Sequence, residues 1–301
     1  MRFFLKLFFI HLIFFVIFFQ ACDILIFSKN RPLQLATLLC SIKKHVKGFN
    51  KIYILGRYTT KEFLDGYERV KELFPFIEFV WQEKENDFFD KVNRLIFFGS
   101  KSEKIILAVD DLIIQGDIDL DLCKHAMDLA DGYVLLFTLG QNITHIGWKK
   151  KVKQPHFCHV IDDIFSWKVS PRTKGSWEWV NQTDFALYRK KDIKKDWNKV
   201  FARFSYLKKQ HPQELEGLWH SHGSRMGKIG LSYKTSKVYN LALNKVCHGS
   251  GCYSLSISPD YLLKKFMDGY IIDSSDIESI VKNAAHTKVK NPRFVKYKEL
   301  L

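Results

Sequence analysis

Of the six cysteines in this 301-residue chain, no two form a CxxC pair and none falls at a zinc-site spacing. That excludes a zinc ribbon and a CxxC redox centre. The chain also lacks GxGxxG and any Walker pattern, so neither the usual dinucleotide-binding fold nor a P-loop is indicated. RNA-recognition, zinc-finger and helix-turn-helix signatures are absent, and nucleic acid is not an expected partner. There are no internal repeats and no low-complexity linker. Cys40 and Cys123 lie in apolar, helix-like surroundings and read as small core residues. Cys247 and Cys252 flank a glycine-containing turn, and the sequence leaves open a disulfide or two free thiols there.

What is present is apolar and basic. The hydrophobic fraction is 47%, with 26 phenylalanines, which excludes a disordered chain. Lys and Arg exceed Asp and Glu by 47 to 32, a net charge of +15 that attracts phosphate-bearing ligands and anionic lipid without choosing among them. Residues 1–21 open with Arg2 and Lys6 and continue as an apolar run broken by His11. This stretch reads as a signal peptide or membrane anchor, so the protein is expected to be exported or membrane-associated.

The remainder alternates strand and helix patterns. Asp23–Phe27, Lys51–Leu55, Ile77–Trp81 and Lys104–Ile114 read as strands, and Leu33–Val46, Thr60–Leu73 and Phe88–Phe98 as helices between them. This order predicts an α/β domain with a doubly wound, mostly parallel sheet. A smaller mixed region follows on the acceptor side. The expected organisation is the N-terminal segment 1–21, one domain over 22–245, and a basic extension over 246–301 that packs on the domain, its tail over 282–301 reading as a surface wrap.

The central stretch is Lys104–Asp119. Its apolar run ends in two adjacent carboxylates, Asp110 and Asp111, where a buried strand must reach water, a metal or a ligand. Ligands in open α/β sheets bind at strand carboxyl ends, and an acidic pair there suits Mg²⁺ or Mn²⁺. The loop Ser28–Pro32 sits at a strand end and a helix start, which makes Ser28 and Arg31 candidates for a diphosphate or nucleotide.

The second half is less regular. A second acidic pair, Asp162 and Asp163, precedes three close tryptophans, Trp167, Trp177 and Trp179. Such a group is either a sugar platform or core filling. A helix opening at Gln213 carries Glu214 and Glu216, which cannot share a face. His220 follows Glu216 at helical spacing, with His222 two residues beyond.

In order along the chain, DILIFSKNRPLQL, ILAVDDLII, FTLGQNIT, VIDDIFSW, NQTDFALYRKKDI, PQELEGLW and TSKVYNLALNKV resemble a nucleotide-sugar glycosyltransferase of the GT-A fold, related to bacterial family 2 glycosyltransferases. The resemblance covers nearly everything after Cys22. It implies metal-assisted transfer of a sugar from a nucleotide-sugar donor to a glycan, lipid or protein acceptor, in a single inverting displacement. It places Ser28, Arg31 and Asp110 at the nucleotide. It makes Asp111 the metal ligand for Mn²⁺ or Mg²⁺, with His220 or His222 completing the shell. Glu216 is the implied general base, with Asp184 and Asp163 as alternatives, and Trp167, Trp177 and Trp179 would hold the acceptor. The family's acidic motif is Asp-x-Asp, and Val109 stands at its first position here. That departure leaves a second reading, an inactive domain of the same fold that binds sugar, nucleotide or protein.

Overall fold

A computed structural model describes residues 22–146, 150–244, 255–275, 283–287 and 292–299. The N-terminal run and the Cys247–Cys252 turn lie outside the described residues. No helix among the described residues is long and apolar enough to cross a membrane.

The chain begins with β1 (Cys22–Lys29), α1 (Pro32–His45), β2 (Ile52–Arg57), α2 (Lys61–Leu73), β3 (Ile77–Trp81), α3 (Phe88–Arg94) and β4 (Lys104–Val109). It continues with β5 (Leu112–Ile114), α4 (Leu120–Leu129), β6 (Val134–Leu136), β7 (Cys158–Ile161), β8 (Ile164–Lys168) and β9 (Ala186–Arg189). The last part holds α5 (Lys190–Phe204), α6 (Pro212–His222), β10 (Ile229–Tyr233), β11 (Val238–Leu241), α7 (Pro259–Met267), β12 (Tyr270–Ile272), β13 (His286–Thr287) and β14 (Phe294–Lys296).

Among the described residues, nine strands form one sheet in the order β7-β8-β10-β6-β9-β4-β1-β2-β3. β1 pairs in parallel with both β2 and β4, and β3 extends the parallel run beyond β2. β9 runs antiparallel between β4 and β6, and β8 antiparallel beside β10. Every other strand shares one direction, so the sheet is mostly one-way, as expected for an α/β domain. Side chains of β1 alternate between two cores: Ile24 and Ile26 pack on one face, Leu25 and Phe27 on the other. A strand covered on both faces is largely apolar, and each of these apolar side chains contributes roughly 1.5–3 kcal/mol on burial.

The strand read over residues 104–114 is two strands. β4 ends at Val109, the chain turns at Asp110–Asp111, and β5 leaves the main sheet to pair antiparallel with β11. β13 pairs in parallel with the other edge of β11, giving a three-stranded sheet β13-β11-β5. At the break, the buried Asp110 carboxylate turns to partners outside the sheet, Ser28 and Arg31.

The C-terminal extension packs on the domain through its apolar residues. Leu262, Phe266, Ile271 and Ile272 join the main core, and the Ile272 N–H donates to Thr37 Oγ1 of α1 at 3.2 Å.

Candidate active site at the strand ends

The site forms where β4 breaks. Asn30 takes a left-handed φ of 54°, tolerable for asparagine, and its side chain both accepts from and donates to Thr59. That turn delivers Arg31 to the first turn of α1, where Pro32 occupies a position that needs no N–H. Neither Ser28 nor Asn30 caps the helix.

Arg31 is only 9% exposed and lies across the acidic pair. Its Nη1 donates to Asp110 Oδ1 at 2.9 Å and to Asp111 Oδ2 at 3.0 Å. Its Nε donates to the Asn244 side-chain oxygen at 2.8 Å, and its Nη2 to the Asn244 carbonyl at 2.6 Å. Asn244 Oδ1 also accepts from Gln34 Nε2 at 3.3 Å. The remaining carboxylate oxygens are engaged too: Ser28 Oγ donates to Asp110 Oδ2 at 2.8 Å, and Asn240 Nδ2 to Asp111 Oδ1 at 3.0 Å. Tyr67 Oη lies 2.8 Å from Ser28 Oγ and accepts from the Arg31 N–H at 3.2 Å. Burial pushes the Asp110 carboxyl up to about 6, against the pull of the Arg31 guanidinium.

On the other side of Asp111 stand Asp184 and Glu216. Phe185, the residue after Asp184, has a φ of 51°, a costly conformation for a bulky side chain. Its fully buried ring, edge-on to Phe137 at 5.3 Å, holds the kink. Burial raises the Asp184 carboxyl, with Asp111 adding to the rise and His286 opposing it. Glu216 lies in α6, which opens with Pro212 and is capped by the His211 side chain accepting from the Glu214 N–H. Glu216 Oε1 accepts from the Thr183 hydroxyl at 2.7 Å and from the Thr183 N–H. Burial and the Asp184 and Asp111 carboxylates push Glu216 up to about 8, despite the two Thr183 bonds that favour its charged form.

The structure thus brings together Ser28, Arg31, Asp110, Asp111, Asp184 and Glu216. It also adds residues absent from the sequence reading. Asn240 and Asn244 belong to β11 and its continuation, Thr183 precedes Asp184, and exposed His286 comes from β13, across from Asn240.

Other expectations are corrected. Trp167 and Trp177 are 2% and 0% exposed, packed edge to face at 5.0 Å, with Trp167 Nε1 donating to the Trp177 carbonyl. They fill core beside Gly230, where even a Cβ would meet Trp167 at 2.4 Å, and cannot serve as an acceptor surface. Trp179 alone of the three is open, at 38% exposure, and stacks on His220 at 3.6 Å. Asp163 is exposed in the two-residue turn between β7 and β8, where Asp162 takes a φ of 45°. Among the described residues no hydrogen bond or ion pair links its carboxylate to the cluster. His220 is bound through Nε2 to Arg225, and burial together with that guanidinium holds the imidazole down at about 4. His222 packs against the Phe204 ring at 4.9 Å.

The donor set can be tested against the expected Mn²⁺ or Mg²⁺. Among the described residues, no group of three or more His, Cys, Asp or Glu side chains is arranged to hold a metal ion. The two oxygens that a bridging ion would share already hold the Arg31 Nη1. An ion there would stand about 4 Å or less from the guanidinium and meet a repulsion on the order of 8 kcal/mol at an effective dielectric of about 20. In this arrangement the acidic pair does not fit a divalent ion.

No family model matches the chain. A bifunctional glycosyltransferase, pgtA of Dictyostelium discoideum, is 27% identical to it over a 188-residue alignment that covers 58% of this chain and 22% of that protein. The chain therefore aligns with about a fifth of the length of that relative. Among solved structures, residues 1–349 of S. aureus TarS give a TM-score of 0.46 at 12% identity, over 73% of this chain and 60% of that one. The same TarS portion in complex with UDP gives 0.40 at 14% identity, over 62% and 55% of the two chains. Over the alignment with pgtA the chain is similar in sequence to a glycosyltransferase.

Proposed function

We propose that the chain transfers a sugar from a nucleotide-sugar donor to a hydroxyl of a glycan, lipid or protein acceptor. The observation that carries this reading is Glu216. It is a carboxylate anchored by Thr183, raised toward neutral pH by burial and by Asp184 and Asp111, and placed beside the strand ends where ligands bind. The likeness to a glycosyltransferase supports it.

The chemistry is a single displacement. Glu216 in its ionised form accepts the proton of the acceptor hydroxyl. The acceptor oxygen bonds to the anomeric carbon as the bond from that carbon to the diphosphate breaks, and the nucleoside diphosphate leaves with the electron pair. Ser28 and Arg31 flank the nucleotide side of the site. The acceptor side is the open face of Trp179. His220 lies one helical turn from Glu216 on the same face of α6, about 6 Å away, and carries the Trp179 stack toward the base.

Calorimetry of the chain with UDP and GDP tests this function. Saturable binding of one nucleotide, retained in Glu216→Gln, supports the donor site, and release of that nucleotide from its sugar by the wild type but not by Glu216→Gln supports the transfer. No heat and no thermal shift with either nucleotide defeats it and favours the inactive-domain reading.

A further inference from the structure

The Arg31 bridge leads beyond that reading while resting on it. We infer that Arg31 is the resident cation of the acidic pair, filling the charge position that a divalent ion takes in an Asp-x-Asp site, so that nucleotide binding by this chain is independent of divalent metal.

Three observations converge. The guanidinium meets both carboxylates through one nitrogen, at 2.9 and 3.0 Å, where a bridging ion would have to lie. It is also held from behind by both oxygens of Asn244, with Gln34 steadying that amide. Swinging it aside would break bonds to three residues and strand the buried Asp110 without its counter-charge. Finally, the far oxygens of the pair are satisfied by Ser28 and Asn240. Val109, at the first position of the Asp-x-Asp pattern, supplies no further carboxylate. A guanidinium also suits the task chemically, since it never deprotonates at physiological pH and its fork matches carboxylate and phosphate oxygens.

The test reads metal binding directly, on the full chain, by manganese electron paramagnetic resonance. Wild-type protein is expected to take up Mn²⁺ only at millimolar concentration. Arg31→Gln, checked for folding by circular dichroism, should bind at least about tenfold tighter because the pair is uncovered. Micromolar Mn²⁺ binding by the wild type that disappears in Asp111→Asn overturns the inference. So does a folded Arg31→Gln that gains nothing. Asp111→Asn is checked for folding in the same way, so a misfolded substitution cannot hide the answer.

Calorimetry with UDP and GDP in EDTA and then in Mn²⁺ separates this claim from the functional one. Affinities within about threefold of each other support it. Binding that appears only with Mn²⁺ overturns it while leaving the transferase reading intact. Binding in neither buffer defeats the transferase reading, and the manganese resonance alone then decides the role of Arg31.

Discussion

Thr183 donates twice to one oxygen of Glu216, through its hydroxyl at 2.7 Å and through its backbone N–H. Both bonds favour the carboxylate, yet the group stays raised because burial and two like charges outweigh them. The side chain is therefore fixed in direction and tuned toward neutrality, the combination a general base needs.

The activity of such a base follows its ionisation. Below its inflection near pH 8, kcat/KM should fall about tenfold per pH unit as Glu216 protonates. Glu216→Gln should abolish that limb and cost roughly 10²–10⁴-fold in kcat, with nucleotide affinity unchanged. Stability runs in the opposite sense. A carboxyl raised on folding holds its proton more tightly in the native state, so its contribution is full below about 4.5 and is lost as pH rises to about 8. Thermal melts across that window should show a decline in the wild type that Glu216→Gln flattens.

Asp184 supplies the largest like-charge push on Glu216. Asp184→Asn should move the inflection of the pH–rate profile to lower pH. Thr183→Val, which removes a donor to the charged form, should move it to higher pH. Shifts of equal sign in the two variants would contradict this account of the pair.

The tryptophans divide by burial. Trp177→Ala empties a fully buried site and should cost about 3–5 kcal/mol in chemical denaturation. Trp179→Ala removes a half-open ring and should leave the denaturation midpoint nearly unchanged while raising KM for a glycan acceptor. An unchanged KM would remove Trp179 from the acceptor face.

The Arg31–Asp110 pair should show the asymmetry of a buried ion pair. Arg31→Ala strands a carboxylate that is 2% exposed and should destabilise by about 3–5 kcal/mol. The double variant Arg31→Met, Asp110→Leu removes both charges and should recover much of that loss in urea titrations.

The sequence made some parts of this site legible and hid others for physical reasons. A buried apolar run that ends in adjacent carboxylates announces a ligand-facing strand end, so Asp110 and Asp111 could be found. Helical geometry shows that Glu214 and Glu216 cannot both face the site, and the family resemblance chooses Glu216. Asn240, Asn244 and His286 could not be found. They reach the cluster through a second sheet whose strands are two to four residues long, too short to show a period, and whose pairing joins positions far apart in the chain. The tryptophans were ambiguous because core and platform aromatics look alike until burial is known. His220 and His222 were misplaced because spacing along a helix does not say which neighbour a ring meets. Here the neighbours are Trp179, Arg225 and Phe204.

The central claim is that Glu216 does chemistry at a nucleotide-sugar. The most direct measurement is release of nucleoside diphosphate from a panel of UDP- and GDP-sugars near pH 8, comparing wild type with Glu216→Gln. The account predicts steady release by the wild type from at least one donor and its loss in the variant, with nucleotide binding preserved. Equal release by both proteins would contradict it.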